Sequence, residues 1–154
     1  MLPDVMNALI MSFIATIGFA GLLHAPVRGW IPASLIGAAG YLLYWALLRA
    51  GWTDPAAIFA GSCAASLLAQ ITARKMRMIA SVFSILAIIP CVPGYGLYQT
   101  MYYIGQGESA MGLDTLIATM SSILMLAMGM AVGSSAFRFF LALKKRSGQP
   151  HNGK

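Results

Sequence analysis

Long apolar stretches that are almost free of charged residues dominate this sequence. A helix needs about 20 mainly apolar residues to cross the roughly 30 Å hydrocarbon core of a bilayer. The stretches that meet this requirement cover, approximately, residues 5–23, 31–50, 55–72, 78–104 and 113–143. Only 9% of the residues are charged, whereas a soluble domain carries about 25%. The sequence therefore predicts an all-α integral membrane protein, in which a single transmembrane domain over residues 1–154 forms a compact bundle of five helices.

The charged residues are divided unevenly between the two sides of the predicted bundle. The first loop, the third loop and the C-terminal end share one side, because successive helices alternate in direction. These segments are basic, with Arg28, Arg74, Lys75 and Arg77 in the loops and a basic cytoplasmic tail predicted over 144–154. The other side holds all four acidic residues, which are Asp4, Asp54, Glu108 and Asp114, while Arg49 is the one basic exception. The positive-inside rule then predicts an N-terminus outside and a C-terminus in the cytoplasm.

The fourth stretch is interrupted near its centre by two prolines and a glycine. Proline lacks an N–H and clashes with the carbonyl four residues back, so we expect two half-helices, 78–89 and 95–104, joined by an unwound segment at Pro90–Gly94. A break of this kind is tolerated in hydrocarbon only where it is buried in protein or lines a wet cavity. Transporters use broken helices to bind substrates. A simple proline kink is the alternative interpretation.

Polar residues of the predicted bundle concentrate around this break. The candidate substrate path consists of Pro90, Cys91, Val92, Pro93, Gly94, Tyr95, Tyr98 and Gln99. The positive end of the second half-helix is expected to attract a carboxylate. Further candidates for lining the path are Ser62, Ser66 and Ser84. Ser62 and Ser66 are four residues apart and so share one helix face, where their hydroxyls can instead form hydrogen bonds between helices.

Ionisable residues are almost absent from the interior of the predicted spans. Intramembrane charges usually mark ion paths and proton relays, so a proton-coupled carrier built from this chain would need a titrating group on a partner. Asp54 and Asp114 lie where helices are predicted to start. An Asp at that position caps exposed N–H groups and complements the helix dipole. We therefore interpret both residues as helix starts.

The composition argues against several other classes of function. The net charge of +6 comes mostly from basic residues beside apolar segments, where they contact lipid head groups rather than nucleic acid. No residues have metal-ligand spacing, and the apolar spans contain no Ser/His pair or HExxH motif, so we predict neither an enzyme nor a cofactor. Cys63 and Cys91 are expected to be free thiols.

Small residues recur at helical spacing in two of the predicted spans. The third helix has Ala57, Gly61, Ala65 and Ala69 every four positions, and the fifth has Gly129 and Gly133. Rows of small residues let helix backbones approach closely in a membrane. We favour packing within one bundle over a dimer contact as the purpose of these rows.

The residues around the break also carry a family resemblance. The run Ile89-Pro90-Cys91-Val92-Pro93-Gly94, with Tyr98 after it, resembles the proline–x–x–proline–glycine signature of the threonine/serine exporter family, specifically its small membrane subunit. Gly18-Phe19-Ala20, Ala25-Pro26-Val27-Arg28 and the basic end of the fifth helix support it. The resemblance implies a larger membrane subunit as partner. It also implies export of serine, threonine or small dicarboxylates such as succinate across the bacterial inner membrane.

Two other functions remain open at this level. The chain is a structural or assembly subunit if the whole substrate path lies in its partner. Alternatively, it self-assembles into a channel or a higher oligomer without a partner. The mass of the purified protein in detergent and substitutions near Gly94 separate these alternatives.

Overall fold

The chain folds into six α-helices over the residues that the structure describes. The computed structural model describes residues 2–147, with side chains described outside 1–5, 8 and 144–147. The helices are α1 (Leu2–Leu22), α2 (Trp30–Arg49), α3 (Asp54–Met76), α4 (Ala80–Ile88), α5 (Gly94–Gly105) and α6 (Ser109–Ser147). Short 3₁₀ turns at Val27–Gly29 and Ile89–Cys91 precede α2 and follow α4. No strand occurs in this part of the chain, so the predicted all-α class is confirmed.

Several helices are apolar and long enough to cross a membrane. Val27–Arg49, Asp54–Met76 and Ser109–Leu143 each meet the requirement alone. Ala80–Cys91 and Gly94–Gly105 meet it only as a pair, bent by 52° at the break between them. The apolar helix Leu9–Leu22 is shorter. The described residues thus provide three spans, or four if the bent pair counts as one, and the count of five stays a prediction.

Close helix packing centres on α3, whose small residues face two neighbours. Ala57, Ala65 and Ala69 are fully buried. A Cβ added to Gly61 would lie 3.0 Å from the carbonyl oxygen of Gly40 on α2. On the opposite side, a Cβ added to Gly133 of α6 would lie 2.6 Å from the carbonyl oxygen of Cys63. The small-residue rows therefore pack helices together within one chain, as predicted.

Helices α5 and α6 form an antiparallel hairpin that extends past the end of α3. The turn between them contains Gly107, whose φ of +82° is the left-handed conformation that glycine adopts without strain. A Cβ on Gly112 of α6 would lie 2.8 Å from the side chain of Ile104 of α5. Ser122 of α6 meets Asp54, the first residue of α3, and about 20 Å of α6 precedes it at about 1.5 Å per residue.

Two predicted helix boundaries are wrong. Helix α6 begins at Ser109 and not near 113, so Asp114 lies in its second turn and does not start a helix. The chain between α4 and α5 is less unwound than expected, because Ile89–Cys91 continues α4 as a 3₁₀ turn. Proline is tolerated in a first helical turn, where its missing N–H has no acceptor. The extended part is therefore Val92 and Pro93 alone.

The predicted basic tail is covered only in part by the structure. Helix α6 continues to Ser147, whereas the side chains from Lys144 onward and all of 148–154 lie outside the described residues. The side chain of Asp4 lies outside them as well.

Candidate functional site

A half-open cavity of about 400 Å³ lies beside the break between α4 and α5. Small-molecule sites typically have volumes of about 300–1,000 Å³. The residues that line it come from α2, α3, the break, α5 and α6: Tyr41, Tyr44, Asp54, Ile58, Pro90, Cys91, Val92, Pro93, Gly94, Tyr95, Gly96, Gln99, Thr115, Ala118, Thr119 and Ser122. The cavity therefore has the size of a metabolite site, and its lining combines polar and apolar residues.

The break itself is a tight turn that presents the N-terminus of α5 to the cavity. Pro93 has φ −76° and ψ 61°, and the N–H of Gly94 donates to the carbonyl oxygen of Val92 at 2.7 Å. This is an inverse γ-turn. The N–H groups of Tyr95 and Gly96 lie in the first turn of α5, where a helix offers no internal acceptor, and Pro93 gives no side-chain cap. The positive end of the α5 dipole thus faces the cavity.

The other side of the break packs deep in the bundle. A Cβ added to Gly37 of α2 would lie 3.3 Å from Cγ of Pro90 and 3.1 Å from Oγ1 of Thr16. Gly37 is about 10 Å along α2 from its first residue and about 18 Å from its last, at about 1.5 Å per residue. The ring of Pro90, a half-buried residue, therefore packs against the middle of α2. Burial in protein or contact with a wet cavity is the condition under which a membrane helix tolerates a break.

Gly94 is not needed for an unusual backbone conformation. It is the first residue of α5. Its φ is not positive, whereas Gly51 and Gly107 of the described chain have positive φ. A Cβ added to Gly94 would meet nothing within 4 Å. Neither the backbone angles nor the available space therefore requires a glycine at this position.

Asp54 joins three helices at the cavity through hydroxyl groups. The Tyr44 hydroxyl on α2 donates to Oδ1 of Asp54 at 2.7 Å, and the Ser122 hydroxyl on α6 donates to Oδ2 at 3.0 Å. Asp54 is the first residue of α3, but Thr53 is the N-cap and makes no side-chain capping bond. The interpretation of Asp54 as a helix start is correct. Its two carboxylate oxygens, however, bind hydroxyls of other helices. Among the described residues that line the cavity, none is basic.

Sequence reasoning missed this cluster for a definable reason. Tyr44 lies about one turn before the end of α2, and only a short loop, 50–53, separates that end from Asp54. A tight connection between antiparallel helices brings such residues together, so the Tyr44–Asp54 contact was open to inference. Ser122 lies 68 residues from Asp54, and its position had no local signal.

Most residues of the predicted substrate path line the cavity. These are Pro90, Cys91, Val92, Pro93, Gly94, Tyr95 and Gln99. Tyr98 does not line it: its side chain is 64% exposed and stacks on Tyr102 with ring centroids 6.4 Å apart. Tyr98 lies one turn beyond Tyr95 on the outer face of α5.

The three serines predicted as further lining residues lie elsewhere. Ser62 donates to the carbonyl oxygen of Phe59 in its own helix at 3.1 Å. Ser66 donates to the carbonyl oxygen of Met130 on α6 at 3.1 Å. Ser84 is 6% exposed, and its Oγ has no hydrogen-bond partner within the described chain. Ser62 and Ser66 thus share a face, as expected, but that face packs on α6.

Comparison with known proteins identifies the family. Among the described residues, no group of three or more His, Cys, Asp or Glu residues is arranged to hold a metal, and Cys63 and Cys91 are free thiols. No solved structure significantly matches the chain. The model of the family described as threonine/serine exporter, ThrE, matches residues 8–136, which is a family of transporters and not of enzymes. This multi-pass membrane protein, with its metabolite-sized cavity at a helix break, therefore belongs to the threonine/serine exporter family.

Proposed function

We propose that this chain is the small subunit of a two-component exporter in the bacterial inner membrane. The substrates are small metabolites, either serine and threonine or small dicarboxylates such as succinate. The observation that carries the proposal is the cavity at the break, where the N-terminal turn of α5 lines a space of about 400 Å³. All the candidate substrates carry a carboxylate, which that turn can bind through the N–H groups of Tyr95 and Gly96.

The proposed topology has five spans with the N-terminus outside. The pair α4 and α5 forms the fourth span, supported by the depth of Pro90 beside Gly37 in the middle of α2. The basic residues of the first and third loops support a cytoplasmic location for those loops. Arg49, the exception, lies with its guanidinium carbon 4.2 Å from the centroid of the Trp45 ring. In this orientation the cavity lies between the middle of the bilayer and its outer face.

A larger membrane subunit completes the substrate path in this proposal. The cavity is open on one side, and Tyr95 at its rim has 72% of its surface exposed. A polar cavity that opens toward lipid is unfavourable, because hydrocarbon cannot hydrogen-bond its lining. A partner helix that covers this opening would remove the cost and enclose the substrate.

The test is reconstitution of the chain into lipid vesicles, alone and together with a larger family subunit from the same source. Release of radiolabelled serine, threonine and succinate is measured for both preparations. We expect transport only from the pair. Transport by this chain alone contradicts the two-subunit proposal and favours a self-assembled channel, which a mass measurement in detergent would identify. If the larger subunit transports normally by itself, this chain is an assembly subunit.

A further inference from the structure

The carboxylate of Asp54 is an unexpected group in a cavity that is proposed to bind anions. It shares the cavity with the first turn of α5, where the backbone N–H groups of Tyr95 and Gly96 have no partners within the helix. The site therefore contains a negative group and the positive end of a helix. A ligand with a single type of charge is attracted by one of them and repelled by the other.

We infer that Asp54 binds the ammonium group of a zwitterionic amino acid whose carboxylate is held by the N-terminal turn of α5. This inference rests on the proposed function and deepens it, because it names the residue by which the site distinguishes amino acids from dicarboxylates. A dicarboxylate has two negative ends, so one of them faces Asp54 without a compensating basic residue among the described cavity residues. Like charges brought together in this way oppose binding.

The hydroxyl partners of Asp54 orient it for this role. Tyr44 donates to one carboxylate oxygen and Ser122 to the other, which fixes the plane of the carboxylate between α2 and α6. Each oxygen of a carboxylate can accept more than one hydrogen bond, so both retain capacity for an ammonium donor. The two hydroxyls stabilise the charged carboxylate without neutralising it, and the N-terminus of α3 adds only a partial positive charge. An ammonium group supplies the full positive charge that the described cavity residues lack.

The aliphatic and aromatic parts of the lining match a small side chain. Ile58, Ala118 and the ring of Tyr41 lie among the polar groups, and Thr115 and Thr119 use their own hydroxyls to bond backbone carbonyls of α6. The cavity is large enough for serine or threonine together with water.

The experiment uses the two-subunit complex in vesicles and measures exchange of radiolabelled L-serine, and separately of radiolabelled succinate, at equal pH on both sides. Unlabelled L-serine, 3-hydroxypropionate and succinate compete for exchange. 3-Hydroxypropionate is serine without its ammonium group, so the comparison isolates that group. We expect serine to compete at least about tenfold better than either acid, since a hydrogen bond between charged groups contributes more than the free energy that corresponds to a tenfold change in affinity.

Asp54→Asn removes the charge and keeps the size and one acceptor oxygen of the side chain. We expect it to weaken competition by serine at least about tenfold while leaving 3-hydroxypropionate unchanged or stronger. Asp54→Glu, which keeps the charge, should preserve the preference for serine over its desamino analogue. Asp114→Asn is the matched control, because Asp114 is exposed, as Asp54 is, but does not line the cavity.

Three results overturn the inference. The first is a wild-type complex that binds succinate or 3-hydroxypropionate as tightly as serine. The second is an Asp54→Asn complex that keeps its preference for serine. If such a complex loses net efflux but keeps exchange, Asp54 acts in energy coupling and not in binding the ammonium group. The third is equal weakening of all competitors by Asp54→Asn, which indicates a structural role. Failure of the proposed function differs from all three, because the wild-type complex then exchanges none of these compounds.

Discussion

Gly96 provides the most direct test of how α5 is held against the cavity. A Cβ added to Gly96 would collide with Oγ1 of Thr119 on α6 and would lie 3.1 Å from its Cγ2 and 3.3 Å from its Cβ. Thr119 is 4% exposed, and its hydroxyl donates to the carbonyl oxygen of Thr115 at 2.7 Å. Because the side chain of Thr119 is branched at Cβ and enclosed, Gly96→Ala requires α5 to move away from α6.

The expected effect of Gly96→Ala on the free energy of unfolding is the difference between two opposing contributions. Extra atoms in a well-packed contact cost about 1–3 kcal/mol, whereas alanine is more favourable than glycine in a helix by about 0.8–1.0 kcal/mol. We therefore expect Gly96→Ala to lower the free energy of unfolding by up to about 2 kcal/mol. Gly94→Ala, two residues earlier in the same helix, is the matched control. Its Cβ meets nothing within 4 Å, so the free energy of unfolding should stay the same or rise by less than about 1 kcal/mol.

A compensating substitution tests whether Thr119 is the obstacle. Thr119→Ala removes Oγ1 and Cγ2, the two atoms that the new methyl group of Gly96→Ala meets first. The double variant should recover about 1–2 kcal/mol relative to the sum of the single effects, within the range seen for residues in contact. Unfolding by sodium dodecyl sulfate in mixed micelles measures the wild-type protein and the four variants, and the same set is assayed for serine exchange.

The refuting result is equally specific. If Gly96→Ala is as stable as Gly94→Ala, or if Thr119→Ala does not compensate, α5 is not packed on α6 at this point. The position of the N-terminal turn of α5 in the cavity would then be wrong. The proposed contact between this turn and the substrate carboxylate would be wrong as well.

Three further predictions test topology and the break. A reporter enzyme active only in the cytoplasm should be active when fused after Lys154 and silent when inserted at Gly107, and the opposite pattern would invert the proposed orientation. The double variant Pro93→Ala with Gly94→Ala should still insert and co-purify with the larger subunit but should lose export, since a continuous helix pairs the N–H groups that face the cavity; normal export would mean that the break serves packing alone. Tyr98→Phe should export at the normal rate, because Tyr98 stacks outside the cavity, and a clear loss of rate would place its hydroxyl on the path.

Local properties of the chain are the part that the sequence determined. The membrane class and the positions of the helices follow from the length of the apolar stretches, which is a property of consecutive residues. The interruption after α4 follows from proline, whose missing N–H acts on its own turn. The small-residue rows on α3 and α6 were readable for the same reason, because helical spacing alone defines a face.

Contacts between distant segments were decided by the tertiary structure alone. Helical spacing placed Ser62 and Ser66 on one face, but it could not say that this face packs on α6. Asp54 looked like a capping residue because capping is local, whereas its carboxylate binds Ser122, which lies 68 residues away. The unwound segment predicted from the sequence was also too long. In the structure Pro90 lies in a 3₁₀ turn, and its ring packs beside Gly37. Periodicity states which residues share a face, and only the arrangement of the helices in space decides what that face meets.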